Sequence, residues 1–182
     1  HLYCNTGFTL MAEIVHRVEK KSFAHWCKEN IFDPLEMKNT LFYDDHERIV
    51  ENRAYSYHQG SNGLKKSVLS YANAGATSLF TTVEDLSKWA LNFENVKVGN
   101  ENIMKTMNSK YVLNSGDTID YAFGQVINKY KGLNAYQHSG GDAGFRSYLL
   151  RFPEQHTSIS VFSNSAEFPV REARRPLLAS LA

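Results

Sequence analysis

Two short polar clusters hold the residue types best suited to chemistry. The first is His138-Ser139-Gly140-Gly141, inside a stretch from Ala135 to Pro153. Tyr136 and His138 alternate with Ala135 and Gln137, and Phe145 to Phe152 is aromatic and aliphatic until Pro153 stops it, so the stretch reads as strand, glycine-rich turn, strand. Gly140, Gly141 and Gly144 surround Asp142 there. Glycine permits close approach of a backbone, or a positive φ, and bare N–H groups beside a histidine and a hydroxyl suit the holding of an oxyanion. A plain β-hairpin with a wide turn accounts for the same residues. Ser139 and His138 do not form a nucleophile–base pair, because neighbours on a strand point to opposite faces. The second cluster is Tyr3-Cys4-Asn5, on a short turn that opens a helix. The two are far apart in sequence and could converge in space. Asp44-Asp45-His46-Glu47 reads as a solvated turn, since four adjacent residues do not converge on one metal ion without a shaped loop.

The elements that must position these clusters fall into two groups. Asn5 or Thr6 is placed to cap a first helix, whose Leu10, Met11, Ile14, Val15 and Val18 lie near an i, i+3, i+4, i+7, i+8 stripe. Ser22 caps a second, Phe23 to about Ile31, ended by Asp33-Pro34. Residues 33–75 read as irregular and polar, with Tyr43, Tyr55, Tyr57 and Tyr71 interspersed and a turn at Gly60-Ser61-Asn62-Gly63. Thr82, with acidic residues following, caps a helix facing inward with Leu86, Trp89, Ala90 and Phe93, and Ile103, Met104 and Met107 mark one more. The period then changes. Tyr121 to Tyr130 reads as one strand, Ser158 to Ser163 as a half-buried strand, and Val170 to Leu181 as a helix broken near Pro176, with Arg171, Arg174 and Arg175 on a solvated face. Helices followed by hairpin-linked strands predict an α+β fold with an antiparallel sheet. The expected division is a mostly helical lobe over 1–116 and a strand-rich part with the last helix over 117–182.

A net charge of +1 in 182 residues argues against a nucleic-acid or membrane surface, both of which need a concentrated basic field. No apolar run is long enough to span a bilayer. Cys4 and Cys27 cannot form a disulfide framework or a four-cysteine zinc site, and nothing in the sequence calls for a cofactor.

Taken in order, these motifs resemble those of the serine β-lactamase and penicillin-binding protein superfamily. The match is closer to its class C-like branch of D-Ala-D-Ala carboxypeptidases, D-aminopeptidases and esterases. Tyr3-x-Asn5 before Thr6-Gly7-Phe8 resembles the family's Tyr-x-Asn at a helix start, and His138-Ser139-Gly140 its third motif, in which Lys-Thr-Gly is often replaced by His-x-Gly. Asn30 to Met37, Ala74 to Leu86 and Phe162-Ser163-Asn164 are similar in wording and order. The resemblance implies a β-lactamase/DD-peptidase-like fold, an antiparallel sheet flanked by helices, and acyl transfer on amides or esters through an acyl-enzyme. It implies an extracytoplasmic setting and no cofactor. One departure is large: no serine in the chain has lysine three residues later, so the family's Ser-x-x-Lys nucleophile is absent and would sit in sequence before His1. The third motif carries His138 rather than lysine, which leaves peptidase or esterase action open.

By the same resemblance, Tyr3 shares the base role with the absent lysine. A phenol ionises near pH 10, so it serves as a base only where a cation stabilises phenolate, and a protonated His138 would be such a cation or would bind a substrate carboxylate. Asn5 would bond the substrate amide or the lysine, Gly141 N–H would be an oxyanion donor, and Ser139 and Gly140 would contact substrate. The expected partners are a small-molecule or peptide substrate and the N-terminal part of the same protein. Without the latter, Ser158–Ser163 would be an open sheet edge prone to self-association. A non-catalytic ligand-binding or structural module is the alternative.

Overall fold

A computed structural model describes residues 2–69 and 73–173. The chain is α+β, with helices and short strands first and a five-stranded antiparallel sheet after them. α1 (Asn5–Glu19) follows the extended residue Cys4 and ends at Lys20, whose φ of 56 is a left-handed helix stop. α2 (Phe23–Cys27) is capped by Ser22, whose hydroxyl accepts from His25 N–H, and runs on as a π-helical turn over Lys28–Phe32. The wider turn lets Cys27 and Phe32 both reach the cluster with Leu35 and Met37. Burial there pushes the Cys27 thiol up to about 12. Both cysteines are free.

The segment after Pro34, expected to be irregular, contains three strands. β1 (Leu41–Phe42) pairs with β4 (Leu79–Phe80), while β2 (Ser56–Gly60) and β3 (Gly63–Ser67) form a hairpin around the Ser61-Asn62 turn. β1 is only two residues long and β2 and β3 are mostly polar in sequence, so none of them gives the apolar alternation that periodicity detects. α3 (Val83–Leu91) is capped by Thr82, which accepts from Asp85 N–H, and α4 (Glu101–Met107) by Asn100. A small two-stranded unit, β5 (Tyr111–Val112) with β6 (Thr118–Ile119), leads into the main sheet.

That sheet is built from β7 (Tyr121–Ala122), β8 (Gln125–Tyr130), β9 (Leu133–Asp142), β10 (Phe145–Phe152) and β11 (Thr157–Ser163), in spatial order β11-β10-β9-β8-β7. Residues 121–130 are therefore not one strand. Phe123 and Gly124 take φ of 52 and 77, the double positive φ that reverses a chain in two residues. Paired residues share a face, so Ala135, Tyr148, Leu150, Phe152 and Ile159 form one buried face, joined by Val170 of α5 (Val170–Ala173). Tyr136, His138, Leu149 and Arg151 point to the other. β11 pairs with β10 and, among the described residues, with no other strand; the backbone just beyond it bridges Tyr57. The expected helix through Leu181 with a break at Pro176, with Arg174 and Arg175, lies outside the described residues, as does Tyr71.

The apolar stripe of α1 does not face inward. Leu10, Met11, Ile14 and Val18 are exposed, whereas Ala12 is buried. The helix packs by its small-residue side instead: at Gly75 (φ 101), an added Cβ would lie 2.7 Å from Ala12 Cβ and 2.8 Å from Phe8 O. Nor does Asn5 or Thr6 cap it. The cap position is Cys4, with no side-chain bond, and Asn5 is the first helical residue.

Gly144, in the β9–β10 turn, is needed for close approach. A Cβ there would stand 2.6 Å from Tyr57 O and 2.8 Å from Tyr57 N, while its own N–H donates to buried Ser56 Oγ at 3.0 Å. Gly144→Ala must push two backbones apart and is expected to cost about 1–3 kcal/mol in chemical denaturation. Gly7 in α1 has open space around its Cα, so Gly7→Ala should be neutral or stabilising by up to about 1 kcal/mol. Equal effects of the two would contradict this packing.

Candidate active site

The two polar clusters converge. Tyr3 reaches β9 just before α1 begins, its ring stacked on His138 with centroids 6.1 Å apart and planes at 28°. Tyr121 stands edge-on to both rings, at 6.2 Å from Tyr3 and 5.9 Å from His138, and its hydroxyl is 3.2 Å from His138 Nε2. Tyr3, Asn5, Tyr121, His138, Ser139, Gly141 and Arg171 line one cleft of about 1010 Å³ that continues along the sheet past Gln137 and Tyr148.

Each element contributes through its local geometry. The reversal at Phe123-Gly124 is what folds Tyr121 back towards β9. β8 stops short of the end of β9: the last pair is Val126 with Gln137, so on that side no described strand pairs with His138 to Gly141. Their backbone is the open edge of the cleft. α1 supplies a helix N-terminus with no side-chain cap and no acidic residue in its first turn, which leaves its partial positive charge uncompensated beside Asn5. Arg171 on α5 donates from Nη2 to Ser139 Oγ at 3.1 Å and brings a full positive charge to the lining. Asp120 on the rim is paired with Lys110.

Of the residues singled out by sequence, Tyr3, Asn5, His138, Ser139 and Gly141 meet at the cleft. Gly140 is not in its lining. It lies on His138's strand face against Ser147, where any Cβ would collide with the Ser147 hydroxyl, so its glycine is explained by packing. Tyr121 and Arg171 also belong to the lining, where the sequence pattern predicts part of a longer strand and a solvated helix face. The Phe-Gly pair at 123–124 is the local signal that could have separated β7 from β8; nothing local marks Arg171.

The surroundings of His138 disfavour its cationic form. Burial holds its imidazole below the ordinary 6.5, only partly opposed by a hydrogen bond with the Ser139 backbone, and Arg171's charge depresses it further. Among the described residues that line the cleft, Arg171 carries the cationic side chain. The sign of the linkage follows: between the lowered value and 6.5, the unfolded chain binds a proton that the folded chain refuses, so folding stability falls as pH drops through this window. Acidifying from pH 7.5 to 5.5 should lower the melting temperature, and His138→Gln should blunt that loss. An unchanged pH dependence in the variant would contradict the assignment.

The family model described as Beta-lactamase matches residues 1–182. Penicillin-binding protein 4* of Bacillus subtilis is 28% identical, the match covering 91% of this chain and 40% of that protein. D-aminopeptidase of Gluconobacter oxydans is 22% identical over 89% of this chain and 31% of its own length. Among solved structures, the octameric penicillin-binding protein homologue from Pyrococcus abyssi superposes with a TM-score of 0.85 at 24% identity, covering 99% of this chain and 42% of that one. The D-amino acid amidase from Ochrobactrum anthropi SV3, complexed with D-phenylalanine, does so at 0.79 and 18%, over 99% and 58%. The chain thus spans less than half the length of these two curated relatives. Among the described residues no helix is long and apolar enough to cross a membrane.

Proposed function

Because this chain belongs to the Beta-lactamase family, we propose that its cleft is part of an acyl-transfer site for amides, peptides or esters of D-amino acids. The observation that carries this reading is the meeting of Tyr3 and Asn5 with His138, Ser139 and Gly141 across one cleft. Relatives named as a D-aminopeptidase and a teichoic acid D-alanine hydrolase support the substrate class. In this proposal the nucleophilic serine and its lysine lie in sequence outside these 182 residues. Tyr3 shares proton transfer with that lysine, and Gly141 N–H helps to hold the oxyanion. Asn5 bonds the substrate amide. A peptide substrate adds as a strand along the edge of β9 at His138–Gly141, with which no described strand pairs on the β8 side.

Arg171, steadied on Ser139, is the anchor for a substrate carboxylate, and neutral His138 is the ring on which Tyr3 is held. In the complete protein, Arg171→Ala should reduce kcat/KM for substrates with a free carboxylate about 10-fold or more, the scale of one lost charge-assisted hydrogen bond, and leave neutral esters nearly unaffected. Equal losses on both substrate classes would move Arg171 from binding to structure. A non-catalytic ligand-binding module is favoured by one observation, the lack of any Ser-x-x-Lys in this chain. Sequencing the coding region upstream of His1 separates the two: Ser-x-x-Lys there supports the enzyme, and its absence supports the binding module.

A further inference from the structure

A second, smaller cavity of about 160 Å³ lies on the His138 face of the sheet, beneath α3 and α4. Trp89, Phe93, Met107 and Leu149 give it apolar walls, and Arg151 gives it a charge. Arg151 is only 4% exposed, and its guanidinium carbon sits 3.6 Å from the centre of the Phe93 ring. Its Nη2 makes both of its hydrogen bonds, to Asn108 Oδ1 at 2.9 Å and Gln125 Oε1 at 2.5 Å. Both acceptors are neutral amides, and Nε and Nη1 have no protein acceptor among the described residues. No ion pair involves Arg151 among those residues; Glu94, the nearby carboxylate, bonds His156 instead. Burial brings the guanidinium down to about 10, with Tyr136 and Glu94 offsetting only part of the loss. A buried charge normally has an ionic partner, because desolvation is otherwise uncompensated. Here the open donors belong to a residue that lines a cavity.

We propose that this cavity is a binding site for a small carboxylate carried on an apolar or aromatic body, with the carboxylate on Arg151 and the body between Trp89, Met107 and Leu149. The volume is below the roughly 300 Å³ at which drug-sized pockets begin, so the occupant is a small acid and not a peptide. His138 lines this cavity as well as the main cleft, so the occupant sits behind the imidazole that supports Tyr3. The proposal does not depend on the acyl-transfer reading, and its test needs no turnover.

The experiment titrates the complete protein with phenylacetate, with its neutral analogue 2-phenylethanol and with acetate, followed by the NMR signals of the Trp89 indole N–H and the His138 ring. Phenylacetate should shift both and bind about 10-fold or more tightly than either other probe, since only it supplies charge and apolar body together. Arg151→Gln should erase the preference for acid over alcohol. Because that arginine also ties α4 to the sheet, Leu149→Trp provides a second arm that fills the cavity and keeps the guanidinium: it should abolish phenylacetate binding with the circular dichroism spectrum unchanged. Equal affinity for phenylacetate and 2-phenylethanol, no binding of phenylacetate, or undiminished binding in a folded Leu149→Trp variant would each overturn the proposal and leave Arg151 an anchor between helices and sheet.

Discussion

Tyr3→Phe in the complete protein should lower kcat by about 100-fold or more with little change in KM, the scale on which a positioned acid–base group acts. The substitution removes one oxygen and keeps the ring. The stack on His138 and the edge contact with Tyr121 survive it, so a loss of activity cannot be assigned to collapse of the cleft. What disappears is the hydroxyl that the proposal uses for proton transfer, next to a helix N-terminus and a cationic Arg171. Steady-state kinetics on a D-alanyl amide, with melting temperature as a control, checks it. A fall of less than about 3-fold would remove Tyr3 from the chemistry.

The 182-residue chain by itself should hydrolyse neither nitrocefin nor p-nitrophenyl esters above the buffer rate. Loss of a serine nucleophile costs on the order of 10⁶ in kcat in a well-studied serine hydrolase. Ser139 is not a substitute, because its hydroxyl is occupied by Arg171 and His138 points to the opposite strand face. Initial rates at micromolar chain concentration, with and without a serine-directed acylating agent, test this. Turnover that the agent abolishes would place a nucleophile inside the chain.

Local signals read correctly where they were short and self-contained. Ser22 and Thr82 cap the helices that follow them, and the hairpin around Asp142 and Gly144 forms where alternation and glycine placed it. Ser158–Ser163, read as a strand, lies within Thr157–Ser163, which pairs with Phe145–Phe152. The meeting of Tyr3 with His138 was not local. It was legible only because the order of short motifs matched a known family, since no propensity ties residues so far apart. Failures arose where tertiary contacts overrode pattern. The α1 stripe at Leu10, Met11, Ile14 and Val18 has ideal spacing, yet Ala12 is the residue turned inward, against Gly75. Tyr121 was lost inside a longer strand because Phe123, a poor residue for positive φ, turns the chain there with Gly124. Arg171 looked like surface charge, and only the fold brings it to Ser139.

The most direct test is the structure of the complete protein phosphonylated by a D-alanyl phosphonate ester, whose alkoxy or aryloxy group leaves as the serine oxygen bonds phosphorus. The account predicts one adduct, on a serine preceding His1, with its phosphoryl oxygen within about 3 Å of Gly141 N and its amide against Asn5, and with the Tyr3 hydroxyl within hydrogen-bond reach of the serine oxygen. An adduct on Ser139, or one lying outside the cleft between Tyr3 and His138, would contradict it.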